Sequence, residues 1–231
     1  MTAEPRPDAL YVEEAVGRPP AVVLLHHGAG SLRAWDAFVP GIAGGRRLLA
    51  YDRRGFGSSS RDAIFDAGLF DRDAADLAGL LKALAAAPAH LVGHSDGATV
   101  ALVAAYRHPD VAASVTAVAG HVRLDPATRE ALRGFDPPST PEEAAWYELW
   151  TRGLDDWDIE EQLAGIRCPV LVVHDRRDPL SPPEHAEAVL RAPATRISWY
   201  DTGTHVPHRV DRARFERELE THLREAETVG R

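Results

Sequence analysis

The apolar run Ala89–His94 ends inside Gly93-His94-Ser95-Asp96-Gly97, and the small-residue stretch Gly97–His108 follows at once. Few backbones can satisfy both halves of this pattern. An uninterrupted apolar run of that length reads as a strand buried on both faces, the habit of parallel sheets. The stretch after it reads as a helix, closed by Pro109. No loop separates them, so the chain must turn sharply at Ser95, and such a turn needs neighbours without bulk. Gly93, Gly97 and Ala98 meet that need. The competing reading is a glycine-rich turn that happens to contain a serine.

The rest of the chain repeats the alternation. Apolar runs at Ala21–His26, Arg47–Tyr51, Val111–Ala119, Val170–His174 and Thr195–Tyr200 read as strands, with Leu10–Val16 as a short edge strand. Leu32–Ala43, Ala74–Ala86, Glu184–Leu190 and Val210–Glu225 read as helices between or after them. This predicts an α/β domain, a mostly parallel sheet flanked by helices. From Val122 to Gly165 the alternation fails: Pro126, Pro137, Pro138 and Pro141 punctuate short helical pieces and no strand stands out. Residues 122–165 are therefore expected to form a small helical lid over the carboxyl edge of the sheet, where open α/β sheets bind ligands. Residues 1–121 and 166–231 would form the two parts of the core.

Composition narrows the function classes. The 231 residues are 45% hydrophobic and 26% charged, as in an ordinary globular domain. Only Met1–Asp8 and Glu225–Arg231 look polar enough to fray. The formal net charge of -9, with no basic run, disfavours nucleic acid and anionic membranes as partners. Lys82 is the only lysine, a usage typical of GC-rich bacterial genomes. No segment reads as a signal peptide or membrane span, so a cytoplasmic protein is expected. Cys168 is the single cysteine, so neither an internal disulfide nor a cysteine metal cluster can form. No metal or nucleotide motif is present, and no cofactor is expected; Gly28-Ala29-Gly30 lacks the Lys-Ser/Thr ending of a phosphate loop.

A serine hydroxyl becomes a nucleophile when a base takes its proton and a carboxylate orients that base. Candidate partners lie after the last two strands: Asp175 or Asp178, and His205 or His208. These pieces carry a resemblance. His27-Gly28-Ala29-Gly30, Asp52-Arg53-Arg54-Gly55-Phe56-Gly57-Ser58-Ser59, the Ser95 turn, the Asp178-Pro179 loop and Gly203-Thr204-His205 together resemble the α/β-hydrolase superfamily over nearly the whole chain. The resemblance implies a nucleophile elbow at Ser95, Asp178 as the acid and His205 as the base, in the chain order Ser, Asp, His. It assigns the oxyanion-hole amides to Ala29 and Asp96, and places the lid after the sixth strand. The Asp52–Ser59 segment would be structural, and Asp175 would cap a strand end.

The reaction so implied is hydrolysis of a small carboxylic ester, possibly an amino-acid ester or lactone, through an acyl-enzyme on Ser95. The alternatives are a non-hydrolytic biosynthetic enzyme and a ligand-binding receptor on the same fold. Haloalkane dehalogenases and epoxide hydrolases resemble the fold but use Asp at the elbow, which Ser95 counts against. Asp96 after the nucleophile resembles the valacyclovirase-like branch, where that carboxylate holds the ammonium of amino-acid esters; the bland reading is a helix cap. Gly28, Trp146 and Trp150 join Asp96 as candidate contacts to a small-molecule substrate, the two tryptophans offering an aromatic wall or simply packing the lid. The lid holds eleven Asp/Glu against four Arg, which suits neutral or cationic substrates.

Overall fold

Seven strands form one sheet in the computed structural model, which describes residues 9–37, 39–42, 44–134 and 138–229. They are β1 (Val12–Ala15), β2 (Arg18–Leu25), β3 (Arg46–Tyr51), β4 (Ala89–His94), β5 (Ala112–Val118), β6 (Val170–Asp175) and β7 (Thr195–Tyr200). Their order is β1-β3-β2-β4-β5-β6-β7; β1 runs antiparallel at one edge and every other pair is parallel.

Side chains of a strand alternate between faces, and here each face has its own core. Val22 and Leu24 of β2 enter one core, Val23 and Leu25 the other; Leu171 and Val173 of β6 divide from Val170 and Val172 in the same way. The helices follow: α1 (Val39–Ile42), α2 (Leu69–Ala83), α3 (Asp96–Arg107), α4 (Pro126–Arg133), α5 (Pro141–Glu148), α6 (Pro183–Ala188), α7 (Pro207–Val210) and α8 (Arg212–Val229). Helices α2 and α3 pack together and cover the Val23 face, while Phe215, Leu219 and Leu223 of α8 cover the other. Each fully buried leucine contributes roughly 1.5–3 kcal/mol through removal from water. Because Val, Leu and Ala fill both faces, the carboxyl edge of the sheet is left for polar chemistry.

Among the described residues of 122–165 there are α4, α5 and helical turns at Leu149–Gly153 and Gln162–Gly165, with one isolated bridge between Arg123 and Asp158. The two helices are started by side chains: Asp125 accepts from Thr128 N at 2.9 Å ahead of Pro126, and Thr140 and Glu143 close a capping box ahead of Pro141. The span follows β5, the fifth strand among the described residues. The resemblance counts one strand more ahead of β2 than the described residues contain.

Two local expectations are corrected. The helix expected over Leu32–Ala43 is a 3-10 turn at Leu32–Trp35 and the four-residue α1; Pro40 and Gly41 are poor helix residues, and Ala43 lies outside the described residues. The expected fraying from Glu225 does not begin there, because α8 runs to Val229. Arg196 holds Glu225 at 2.6 Å and the buried Arg46 holds Glu227 at 2.5 Å. Met1–Asp8, Gly230 and Arg231 lie outside the described residues.

Candidate active site

The turn between β4 and α3 has the shape its glycines demand. A Cβ on Gly93 would stand 2.2 Å from Gly97 O, and one on Gly97 would stand 2.3 Å from Leu25 O. Ser95 is held at φ 54°, ψ -121°, a region that costs a side-chain-bearing residue about 1–3 kcal/mol. The surroundings hold it there: Ser95 N donates to Val118 O (2.8 Å), and Ser95 O accepts from Ala98 N (2.9 Å) and Thr99 N (3.1 Å). Its hydroxyl therefore projects from the sheet edge.

Two other strand ends meet it. His205 Nε2 lies 3.0 Å from Ser95 Oγ, and His205 Nδ1 lies 3.0 and 2.9 Å from the two carboxylate oxygens of Asp178. Asp178 Oδ1 also accepts from Leu180 N (2.8 Å) and Ser181 N (3.0 Å), which fixes the carboxylate in its loop. With Nδ1–H donated to Asp178, the neutral imidazole presents a bare Nε2 to the serine. The expected Ser95, Asp178 and His205 are thus brought together in one hydrogen-bonded line.

The rivals have other work. Asp175 accepts from Arg177 N (2.8 Å), Thr202 Oγ1 (2.7 Å), Gly203 N (3.0 Å) and Thr202 N, tying the loop after β6 to the His205 loop. His208 lies in α7 against Trp35 and His94. His94 itself reaches back from the elbow and donates from Nε2 to His205 O at 2.8 Å. Burial pushes the His94 ring well below the ordinary imidazole range, helped by neighbouring His208 and His205, so it stays neutral.

A cavity of about 290 Å³ opens over Ser95 and His205. Gly28, Asp96, Trp146 and Trp150 all line it, as does Arg209, whose guanidinium is held on Ala34 O at 2.6 Å. Of the two candidate oxyanion residues, Asp96 lines the cavity and Ala29, at φ 51°, stands one residue beyond Gly28.

Asp96 is the unusual group. It is 1% exposed at the first position of α3, yet its carboxylate makes no cap bond to the helix backbone. Oδ2 accepts from Trp146 Nε1 (2.8 Å) and, more distantly, from Arg53 Nη2 (3.4 Å). Oδ1 is buried with no hydrogen-bond partner among the described residues. Trp146 crosses the site closely enough that a Cβ on Gly28 would stand 2.3 Å from its indole nitrogen. Arg53, which the sequence marked only as part of a structural segment, lies beneath Asp96. It binds Asp73 at 2.6 Å and reaches the His27 carbonyl of the adjoining loop at 3.3 Å. Burial raises the Asp73 carboxyl to about 6, against the lowering effect of Arg53. Two buried carboxylates thus share one guanidinium.

A family model described as the alpha/beta hydrolase fold matches residues 20–137, just over half of the chain. The chain belongs to the α/β-hydrolase fold family. This α/β hydrolase is similar to the mouse serine hydrolase BPHL, 29% identical over 185 residues that cover 70% of this chain; the chain spans 64% of that relative's length. It is also 29% identical to the pimeloyl-acyl-carrier-protein methyl ester esterase of Methylococcus capsulatus, over 86% of this chain and 92% of the esterase. Its fold matches that of MGS-M2, an α/β hydrolase from a deep-sea metagenome library, with a TM-score of 0.80 at 19% identity over 93% of this chain and 94% of that one. Among the described residues of this α/β hydrolase, no helix is long and apolar enough to cross a membrane.

Proposed function

We propose that this α/β hydrolase cleaves small carboxylic esters of amino acids through an acyl-enzyme on Ser95, with His205 as general base and acid and Asp178 as the residue that orients it. Ser95 Oγ bonds to the ester carbonyl carbon as its proton passes to His205 Nε2. The amides of Ala29 and Asp96 take the oxyanion, each worth on the order of 3 kcal/mol in the transition state. The carbon–oxygen bond to the alcohol then breaks, and His205 gives its proton to the leaving oxygen. Water repeats the cycle, releasing the acid and restoring Ser95.

The observation that carries the substrate class is Asp96, which lines the reaction cavity and whose Oδ1 is buried without a hydrogen-bond partner among the described residues. An unsatisfied buried polar atom is costly unless a ligand satisfies it. An ammonium two bonds from the scissile carbonyl supplies both hydrogen bond and charge. The cavity volume, at the low end for ligand sites, restricts the acyl and alcohol parts to a few heavy atoms each. Trp146, standing on both Gly28 and Asp96, supports reading the 122–165 insertion as a lid over the acyl group.

The test compares glycyl and acetyl esters of one alcohol. Ser95→Ala should abolish turnover of both. Asp96→Asn should lower kcat/KM for the glycyl ester by about 10- to 100-fold, the value of one charge-assisted hydrogen bond, and for the acetyl ester by less than about threefold. An equal loss on both esters would return Asp96 to a structural role.

A further inference from the structure

The cavity wall on the other flank of Ser95 also carries unpaired polar atoms. His121 follows β5 and is 4% exposed; Trp150 comes from the insertion and is 1% exposed. Both line the cavity, with ring centroids 4.9 Å apart. His121 Nδ1 and Trp150 Nε1 are each buried without a hydrogen-bond partner among the described residues.

The hydrogen-bonding character of each atom is fixed. His121 Nε2 lies 3.1 Å from Leu180 O, which can only accept, so Nε2 carries the hydrogen. Burial and the neighbouring His185 and His205 push the ring well below the usual imidazole range, so it is neutral and Nδ1 is a bare acceptor. Trp150 Nε1 can only donate. The His121 backbone is pinned on both sides by Thr99 Oγ1, which donates to His121 O (2.8 Å) and accepts from His121 N (3.2 Å). Two neighbouring rings of the cavity lining thus carry an unpartnered acceptor and an unpartnered donor. The group that satisfies both at once is a hydroxyl.

Position decides which part of the substrate bears that hydroxyl. Asp96 and Gly28 mark the acyl flank, toward β2. His121 lies toward β6, its ring centroid 5.9 Å from that of His205. His205 hands its proton to the leaving oxygen, so the departing alcohol sits on the His121 side.

We propose that His121 and Trp150 form a leaving-group subsite that selects esters whose alcohol carries a second hydroxyl, which donates to His121 Nδ1 and accepts from Trp150 Nε1–H. The subsite rests on the ester-hydrolase reading and specifies the alcohol, as Asp96 specifies the acyl group.

Four esters test it: glycyl and acetyl, each on 2-hydroxyethyl and on n-propyl alcohol. Wild type should prefer each hydroxyethyl ester over its propyl counterpart by about tenfold or more in kcat/KM, because the propyl chain leaves both buried atoms unpaired. In Trp150→Phe and His121→Phe that ratio should fall to about one. His121 also supports Leu180 beside Asp178; if it acted only through that contact, both esters would slow together and the ratio would keep its wild-type value, which overturns the proposal. A wild-type ratio near one, as when the pair merely holds a water, overturns it too. The acyl comparison reads Asp96 independently of the alcohol comparison. Should no ester turn over, the ester-hydrolase reading fails. Calorimetric binding of the same esters to Ser95→Ala then decides the subsite, and equal Kd values for hydroxyethyl and propyl esters refute it. Thermal melts confirm that each variant is folded.

Discussion

Acid should destabilise this protein well above the carboxylate range, and the histidines set where. His26, His90, His94, His121, His208 and His222 are each at most 4% exposed. Burial pushes all six down, His90 and His222 to about 4 and His208 to about 3, the other three well below the ordinary value. The folded state keeps them neutral while the unfolded chain protonates them near pH 6.5, so the unfolded state binds more protons and stability falls as pH drops. Between pH 7 and pH 5.5 His90, His208 and His222 each cost about 1 kcal/mol, and His26, His94 and His121 act in the same direction. Asp73 works in the opposite direction. Its raised folded pKa, about 6, adds stability as pH falls through that value, but by less than about 1 kcal/mol over the same window. A net loss of at least about 2 kcal/mol compares with a total of about 5–15 kcal/mol for a typical domain. Urea titrations followed by far-ultraviolet circular dichroism at pH 7.5, 6.5 and 5.5 should show the midpoint falling with each step down in pH. A urea midpoint unchanged between pH 7.5 and 5.5 would refute the reasoning, because it would mean that these rings protonate without unfolding the chain.

Arg53→Leu should leave Asp73 and Asp96 facing each other without their shared cation, costing about 3–5 kcal/mol of stability; a melt within 2 °C of wild type would show the guanidinium to be dispensable. Asp175→Ala removes the acceptor that ties Thr202 and Gly203 to β6, so the His205 loop should lose its register. Activity should fall on the order of 10²-fold in kcat with KM little changed, as expected when a catalytic base is misplaced by about 1 Å. A kcat within threefold of wild type would show that His205 is held by other contacts.

Much of this was legible in the chain because the signals were local. The turn at Ser95 is dictated by residues within two positions of it, and the acid and base each follow an apolar strand directly. Strands β4 and β7 coincide with the apolar runs, and the other strand ends shift by at most three residues, the most at the start of β2, where the apolar run blurs into its flank. What stayed illegible was contact across the fold. Arg53 meets Asp96 across 43 positions, and nothing near Arg53 announces it. His121 carries no motif; its role is visible only once Leu180, fifty-nine residues on, is seen to occupy its Nε2. The choice between helix cap and open carboxylate at Asp96 needed Trp146 placed on Gly28. The 3-10 turn at Leu32–Trp35 was missed because its start is held from outside, by Asp52 Oδ1 accepting from Leu32 N at 2.7 Å.

The most direct test of the central assignment is covalent. The protein is incubated with a fluorophosphonate, which reacts with an activated serine and stays attached, and the adduct is located by peptide mass spectrometry. A single adduct on Ser95 is expected, absent in Ser95→Ala and slowed by several orders of magnitude in His205→Ala. No adduct at Ser95, or labelling at the same rate without His205, would contradict the assignment of an activated nucleophile there.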